Sequence, residues 1–155
     1  METKVRVASG NDAVLIGDFN SRLARETEHR DLDPALVEAG VSAALASPAY
    51  GRYLLAEIDG CVVGQLFLTY EWSDWRNGMF WWLQSVYVLP EYRRRGVFRR
   101  LHAEVLELAR ADGGVCGIRL YVERENAVAR ATYRALGFAR PGYEVMEQTL
   151  GASSR

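Results

Sequence analysis

The chain reads as one α/β domain, a mixed sheet with helices on both faces. Three observations predict this. Strand-like and helix-like patterns follow one another as strand, two helices, three strands, helix, strand, helix, strand. The strands centre on a hairpin signal, Asp59-Gly60, set between two apolar runs. A length of 155 residues allows one sizeable core and is too short for two.

Val5-Arg6-Val7-Ala8 alternates as a short strand does. Asn11-Asp12 then offers an N-cap to a helix that turns Val14, Leu15, Phe19 and Leu23 toward a core. Asp33-Pro34 repeats the start signal, because the carboxylate accepts orphan backbone N–H groups and proline tolerates the first helical position. The second helix carries Leu36, Val37, Val41, Ala44 and Leu45 and stops near Ser47-Pro48. Residues 53–58 and 61–68 flank Asp59-Gly60, a pair that tolerates the positive φ of a two-residue turn. Residues 79–89 are apolar on both alternating faces, as in a central strand covered on two sides, and Pro90 ends them.

Phe98, Leu101, Val105, Leu108 and Ala109 mark one face of a helix of roughly 17 residues, about 25 Å long, which Asp112-Gly113-Gly114 closes. Residues 118–122 form a further strand. Asn126 caps a short helix running through Leu136, Gly137 stops it, and residues 143–150 alternate as a last strand. The domain therefore spans 1–150, and the composition of 151–155 predicts a disordered tail.

Composition narrows the function. Hydrophobic residues make up 49% and charged residues 25%, ordinary globular values that exclude collagen-like, mucin-like and disordered readings. No apolar run approaches the ~18 residues of a membrane helix, and Met1-Glu2-Thr3-Lys4 does not begin a signal peptide. A cytoplasmic protein with no membrane partner is expected. Nineteen basic residues against twenty acidic ones leave a net charge of -1, so no nucleic-acid partner is expected either. Cys61 and Cys116 sit in apolar runs and read as core thiols. His29 and His102 lie far apart without cysteines at ligand spacing, which predicts neither a metal site nor a histidine-based triad.

The informative stretch is residues 86–101, where an apolar strand enters a helix through the arginine-rich turn Arg93-Arg94-Arg95-Gly96. A helix N-terminus presents unpaired N–H donors and a partial positive charge, and glycine lets an anion approach the backbone. That arrangement favours a phosphate or pyrophosphate, with arginines at the rim. The plainer alternative makes Arg93, Arg94, Arg95, Arg99 and Arg100 a solvated face. Neither a Walker pattern nor G-x-G-x-x-G occurs, so nucleoside triphosphatase and Rossmann dinucleotide sites are not supported.

Arg93-Arg94-Arg95-Gly96-Val97-Phe98 resembles the pyrophosphate loop of the GNAT superfamily of acyl-CoA N-acyltransferases, R/Q-x-x-G-x-G/A, with Phe98 where the family has Gly or Ala. Residues 126–138 resemble the family's later segment N-x-x-A-x-x-x-Y-x-x-x-G-F, through Asn126, Ala129, Tyr133, Gly137 and Phe138. Tyr143-Glu144-Val145-Met146-Glu147 resembles its closing strand. The likeness covers residues 53–150, while 1–50 match in element order only. It implies the GNAT fold, a mixed and mostly antiparallel central sheet with helices on both faces, and acetyl-CoA as acyl donor. It implies that Arg93, Arg94, Arg95, Gly96, Val97, Phe98 and Arg99 cradle the pyrophosphate, chiefly by backbone N–H, with the Phe98 ring turned into the core. It further implies that the main chain of Val86, Tyr87 and Val88 holds the pantetheine arm and thioester carbonyl, with Asn126 and Ala129 near the pantetheine.

Tyr133 would protonate the leaving thiolate, since a phenol of pKa ~10 stays protonated at neutral pH and matches a thiolate in basicity. Its plain alternative is a core aromatic beside Ala129 and Leu136. Attack on the thioester needs a neutral amine and hence a base, yet residues 81–89 contain no carboxylate. Gln84 stands there and can orient a water. Glu71 and Asp74, expected in the loop before the central strand, are the nearest acids, with a solvated turn as the alternative for both.

Trp72, Trp75, Trp81 and Trp82 read as a cationic-amine cage, or as core or dimer surface. Residues 22–38 carry five acidic against three basic residues, a bias that suits a basic small molecule. The expectation is an acetyl-CoA-dependent N-acetyltransferase, homodimeric, acting on a primary amine of a small molecule. The alternatives are a protein N-terminal or lysine acetyltransferase and a non-catalytic acyl-CoA sensor or docking domain.

Overall fold

The computed structural model describes residues 1–151, so residues 152–155 of the expected tail lie outside the described residues. The chain divides into two units, Met1–Glu123 and a second that begins at Arg124.

The first unit runs β1 (Lys4–Val7), α1 (Ala13–Glu28), α2 (Pro34–Ala46), β2 (Arg52–Ile58), β3 (Cys61–Ser73), β4 (Gly78–Val88), α3 (Val97–Asp112) and β5 (Val115–Leu120). The strands form one sheet in sequence order, with every neighbouring pair antiparallel except β4 and β5. Those two are parallel because α3 carries the chain back between them. The hairpin at Asp59-Gly60 has positive φ at both residues, 50° and 79°, the primed turn that the pair predicts.

Helices cover both faces of this sheet. Tyr53 and Leu55 of β2 join Ile16 of α1 and Val41 and Ala44 of α2 in one buried cluster. The alternate face meets α3: the pro-side-chain position of Gly64, paired with Ala56, lies 3.1 Å from a Val97 methyl group. Leu54, Leu66 and Leu68, with Leu101 and Val105 of α3, are 0–1% exposed.

The Asp33 cap holds as the sequence implies, whereas Asp12, at the N-cap of α1, turns its carboxylate to Arg6 and the Ser9 amide instead of capping that helix. Asp33 Oδ1 accepts from the Ala35 N–H (2.9 Å), with Pro34 at the first helical position. Asp33→Ala is expected to lower unfolding stability by about 1 kcal/mol, read as a shifted denaturation midpoint with unchanged slope.

Several expectations are corrected. Val14 is 88% exposed and Leu36 51%; Phe19 is buried as expected, but the other buried residues of α1 are Ile16 and Ala24, with Leu15 and Leu23 half-buried. Cys61 and Cys116 are both exposed, because Cys61 flanks the hairpin turn and Cys116 sits on β5, the last strand of the sheet. β5 starts at Val115, where pairing with Met79 begins, and ends at Leu120, not 122. The central strand is less covered than its composition implies, with Trp82, Gln84, Ser85, Val86 and Val88 only half-buried.

In the second unit, α4 (Ala127–Ala135) is capped by Asn126, whose Oδ1 accepts from the Ala129 N–H at 3.1 Å. It ends where Gly137, at φ 93°, donates to the Arg134 carbonyl and Phe138 donates to that of Tyr133. Residues 143–150 form no strand, contrary to expectation. Their alternation finds no ladder: Tyr143, Val145, Met146 and Leu150 are 62–93% exposed.

Candidate active site

Between β4 and α3 the chain makes a 3-10 turn over Pro90–Tyr92 and then enters the arginine run. Arg94 has φ 61° and Gly96 φ 81°. Gly96 is the N-cap of α3, and the space that a side chain would enter there is open to 4 Å. The first bond of the helix runs from Arg100 N–H to the Gly96 carbonyl (3.0 Å). The amides of Val97, Phe98 and Arg99 precede it, and Gly96, the N-cap residue, has no side chain to cap them. The first-turn amides at the positive end of a helix of 16 residues, with exposed Arg94, Arg95 and Arg99 beside them, are chemistry that suits an anion. A diphosphate fits these residues because glycine leaves the approach clear.

The arginines divide their work. The Arg93 guanidinium does not face outward alone: it pairs with Glu26 of α1 (2.6 Å), donates to the Val88 carbonyl (2.8 Å) and lies 5.5 Å over the Tyr87 ring. Glu26 also accepts from the Tyr87 hydroxyl at 3.0 Å. Burial, and then that carboxylate, push the Tyr87 phenol up. The sequence reading missed Glu26, which no local pattern marks. Arg95 lies over Tyr92, and Arg100 pairs with Glu104. Val97 is the residue that α3 buries here, at 2% exposed; the Phe98 ring is half-buried, 6.3 Å from the His102 ring, instead of turned fully into the core.

β4 opens as it approaches this turn. Its pairing with β5 stops at Leu83 opposite Leu120, five residues before Val88. Leu89 donates to Val63 on the β3 side, so the alternating backbone turns the polar groups of Val88 to the other edge. The register puts Gln84 opposite Phe67 and Tyr87 opposite Gln65. Phe67 and Gln65 share a face of β3, so Gln84 and Tyr87 share a face although three residues separate them. One extra residue has been inserted, a bulge, and Ser85 within it has φ 50°. The expected contacts Val86, Tyr87 and Val88 all lie beyond that bulge.

The expected proton acceptors are placed differently from the sequence reading. Glu71 is not in a loop but on β3, opposite Phe80. It accepts from Trp82 Nε1 at 2.8 Å and pairs with Arg119 at 3.1 Å through both oxygens. Asp74 stays in the exposed turn, bound to the Trp75 amide. Gln84 donates to Thr69 Oγ1 at 2.5 Å. Gln84, Trp82 and Glu71 thus belong to one face of neighbouring strands. Arg119, 3.6 Å over the Phe80 ring, was not anticipated.

The four tryptophans form no cage. Trp81 is buried beside Tyr70, Trp82 points to the opposite face and stacks on Tyr121 at 4.5 Å, and Trp72 and Trp75 are 58% and 86% exposed.

Asn126, Ala129 and Tyr133 belong to the second unit. Tyr133 is half-buried and meets Phe138 edge-on at 5.9 Å, and burial raises its phenol above the usual 10. Among the described residues no group of three or more His, Cys, Asp or Glu is placed to hold a metal, and no helix is long and apolar enough to cross a membrane.

A family model described as the acetyltransferase (GNAT) family matches residues 18–138. Thialysine N-epsilon-acetyltransferase of Bos taurus is 38% identical over 77 residues, 50% of this chain and 44% of that protein. N-alpha-acetyltransferase RimI of Mycobacterium tuberculosis is 37% identical over 99 residues, 63% of this chain and 58% of that protein. The chain thus spans about half the length of these curated relatives. A solved structure of a "possible acetyltransferase" from Clostridium difficile 630 shares 41% identity and superposes with a TM-score of 0.89, covering 97% of this chain and 99% of that one.

Proposed function

The chain belongs to the acetyltransferase (GNAT) family, and from that premise we propose an N-acetyltransferase that moves an acetyl group from acetyl-CoA to a primary amine of a small molecule. One observation carries the proposal: a helix N-terminus that starts at a glycine of positive φ, flanked by exposed arginines and reached from a strand whose edge has just opened. The amides of Val97, Phe98 and Arg99 bind the pyrophosphate, with Arg94 and Arg95 at the rim and Arg93 bracing the turn against α1. The main chain of Val86 and Val88 holds the pantetheine arm, since Tyr87 between them turns its backbone groups to β3, and Asn126 and Ala129 contact the arm from their own helix.

Acetyl-CoA supplies the activated thioester. Gln84, tied by its Nε2 to Thr69, orients a water that takes the amine's proton, and Glu71, on the same face of the neighbouring strand, receives it. As the N–C bond forms and the C–S bond breaks, Tyr133 gives its proton to the departing sulfur. The setting we propose is a cytoplasmic homodimer that uses exposed Trp72 and Trp75 as contact surface.

The test is calorimetry with CoA, then an amine panel assayed for thiol release. Saturable binding with transfer to a small amine is the expected result; no heat and no thermal shift at millimolar CoA overturns the proposal. Transfer to peptide N-termini instead would move the acceptor toward the N-alpha chemistry named for RimI, and transfer to lysine side chains would make this a lysine acetyltransferase. Binding without transfer to any amine favours a non-catalytic sensor, the reading to which the absence of a carboxylate on β4 points.

A further inference from the structure

Gln65 is polar, wholly buried at 0% exposure, and set in an apolar strand. Such an amide costs stability unless its groups are bonded, and its Oε1 has no hydrogen-bond partner among the described residues. Its Nε2 donates twice: to Asn20 Oδ1 of α1 at 2.8 Å and to the Ser85 carbonyl at 3.1 Å. Asn20 in turn donates to the Tyr53 hydroxyl at 3.4 Å. The second acceptor is the informative one. Ser85 is the residue of β4 in the left-handed region, in the bulge that resets which residues share a face. A serine held there is strained, and it stays only if its surroundings hold it.

We infer that Gln65 is a positioning residue: its buried amide pins the Ser85 carbonyl, and so fixes the bulge that aims the main chain of residues 84–86 at the acyl carbonyl. This rests on the acetyltransferase reading for its consequence, though not for its geometry. An apolar residue of the same size would carry no unmatched oxygen but would leave the Ser85 carbonyl and Asn20 Oδ1 without this donor, so what the glutamine adds is these two bonds. Asn20 sets the rotamer of Gln65 and thereby couples α1 to the bulge. Neither residue touches substrate; each acts through Ser85.

The test is Gln65→Met, close in volume and without the amide. Its melting temperature is expected to fall by no more than a few degrees, since the loss of two hydrogen bonds is partly offset by removal of the unmatched oxygen, while kcat falls on the order of 10- to 100-fold and the KM for acetyl-CoA stays within about twofold. Amide exchange is expected to quicken at residues 84–86 and not in the rest of the sheet. Adding Ser85→Gly, which takes positive φ without strain, is expected to restore much of the lost kcat, a recovery that a packing role would not show. If Gln65→Met fails to fold, Asn20→Ala, which leaves the glutamine but removes the acceptor that aims it, carries the same expectation at smaller size.

Unchanged exchange at residues 84–86 overturns the inference whatever the activity. A wild type that transfers no acetyl group defeats the functional reading instead, and the exchange data still decide what Gln65 does. Equal loss of kcat in the single and double variants also overturns it.

Discussion

Tyr133→Phe is expected to lower kcat for acetyl transfer by on the order of 100-fold or more, and to leave the affinity for acetyl-CoA within about twofold. The substitution deletes one oxygen and keeps the ring that meets Phe138, so packing within the second unit is preserved. A proton donor to a thiolate must be protonated when the C–S bond breaks. Burial raises the Tyr133 phenol above 10, so its acid form persists throughout the neutral and mildly alkaline range. The sign follows: the active form is lost as pH rises through that raised value, so this group causes no fall in the wild-type rate across the neutral range. Steady-state thiol release from pH 6 to 10, with calorimetry on both proteins, makes the measurement. Unchanged kcat removes Tyr133 from the chemistry. Joint loss of affinity and melting temperature makes it a packing residue of α4.

Gly96→Asp is expected to weaken CoA binding by at least about 100-fold, near 2.7 kcal/mol, with little loss of fold stability. Aspartate is among the few residues that tolerate the left-handed region, and the position is open to 4 Å, so the chain accommodates it. Its carboxylate, however, would stand at the positive end of α3, where the diphosphate is to sit. It competes for the same amides and repels the ligand. Gly96→Ala separates the two effects, since it adds the strain of φ 81° and a methyl group without the charge. Titration calorimetry on the three proteins ranks them glycine, alanine, aspartate in falling affinity. Equal affinity across the set would mean that the anion binds elsewhere.

Much of the first unit was legible because its signals are local. Asp33-Pro34 and Asp59-Gly60 act within a few residues, and both produce the cap and the turn that their chemistry requires. The anion turn was legible for the same reason: glycine after an arginine run, between an apolar strand and an amphipathic helix, needs no distant partner to be read. The errors have a common cause. Residues 143–150 alternate, but alternation states only that a strand would have two unlike faces, and a strand exists only where a neighbour completes its hydrogen bonds. Val14 and Leu36 are apolar on amphipathic helices yet exposed, since the rotation of a helix is decided by what it packs against. Glu71 looked like a turn residue because β3 runs to Ser73, farther than its apolar run, held by pairing with β4 through Ser73 opposite Gly78.

By itself the sequence determined the order of elements as far as α4, the hairpin, the caps at Asp33 and Asn126 and the glycine turn after the arginine run, all consequences of backbone preferences over a few residues. Only the tertiary structure decided that Arg93 is clasped by Glu26, that Glu71 is tied to Arg119 and Trp82, and that a buried Gln65 holds Ser85 at positive φ. Those partners lie 11 to 67 residues apart along the chain. Contacts of that span form only when packed helices and strand register bring the groups together, and no periodicity in the sequence encodes them.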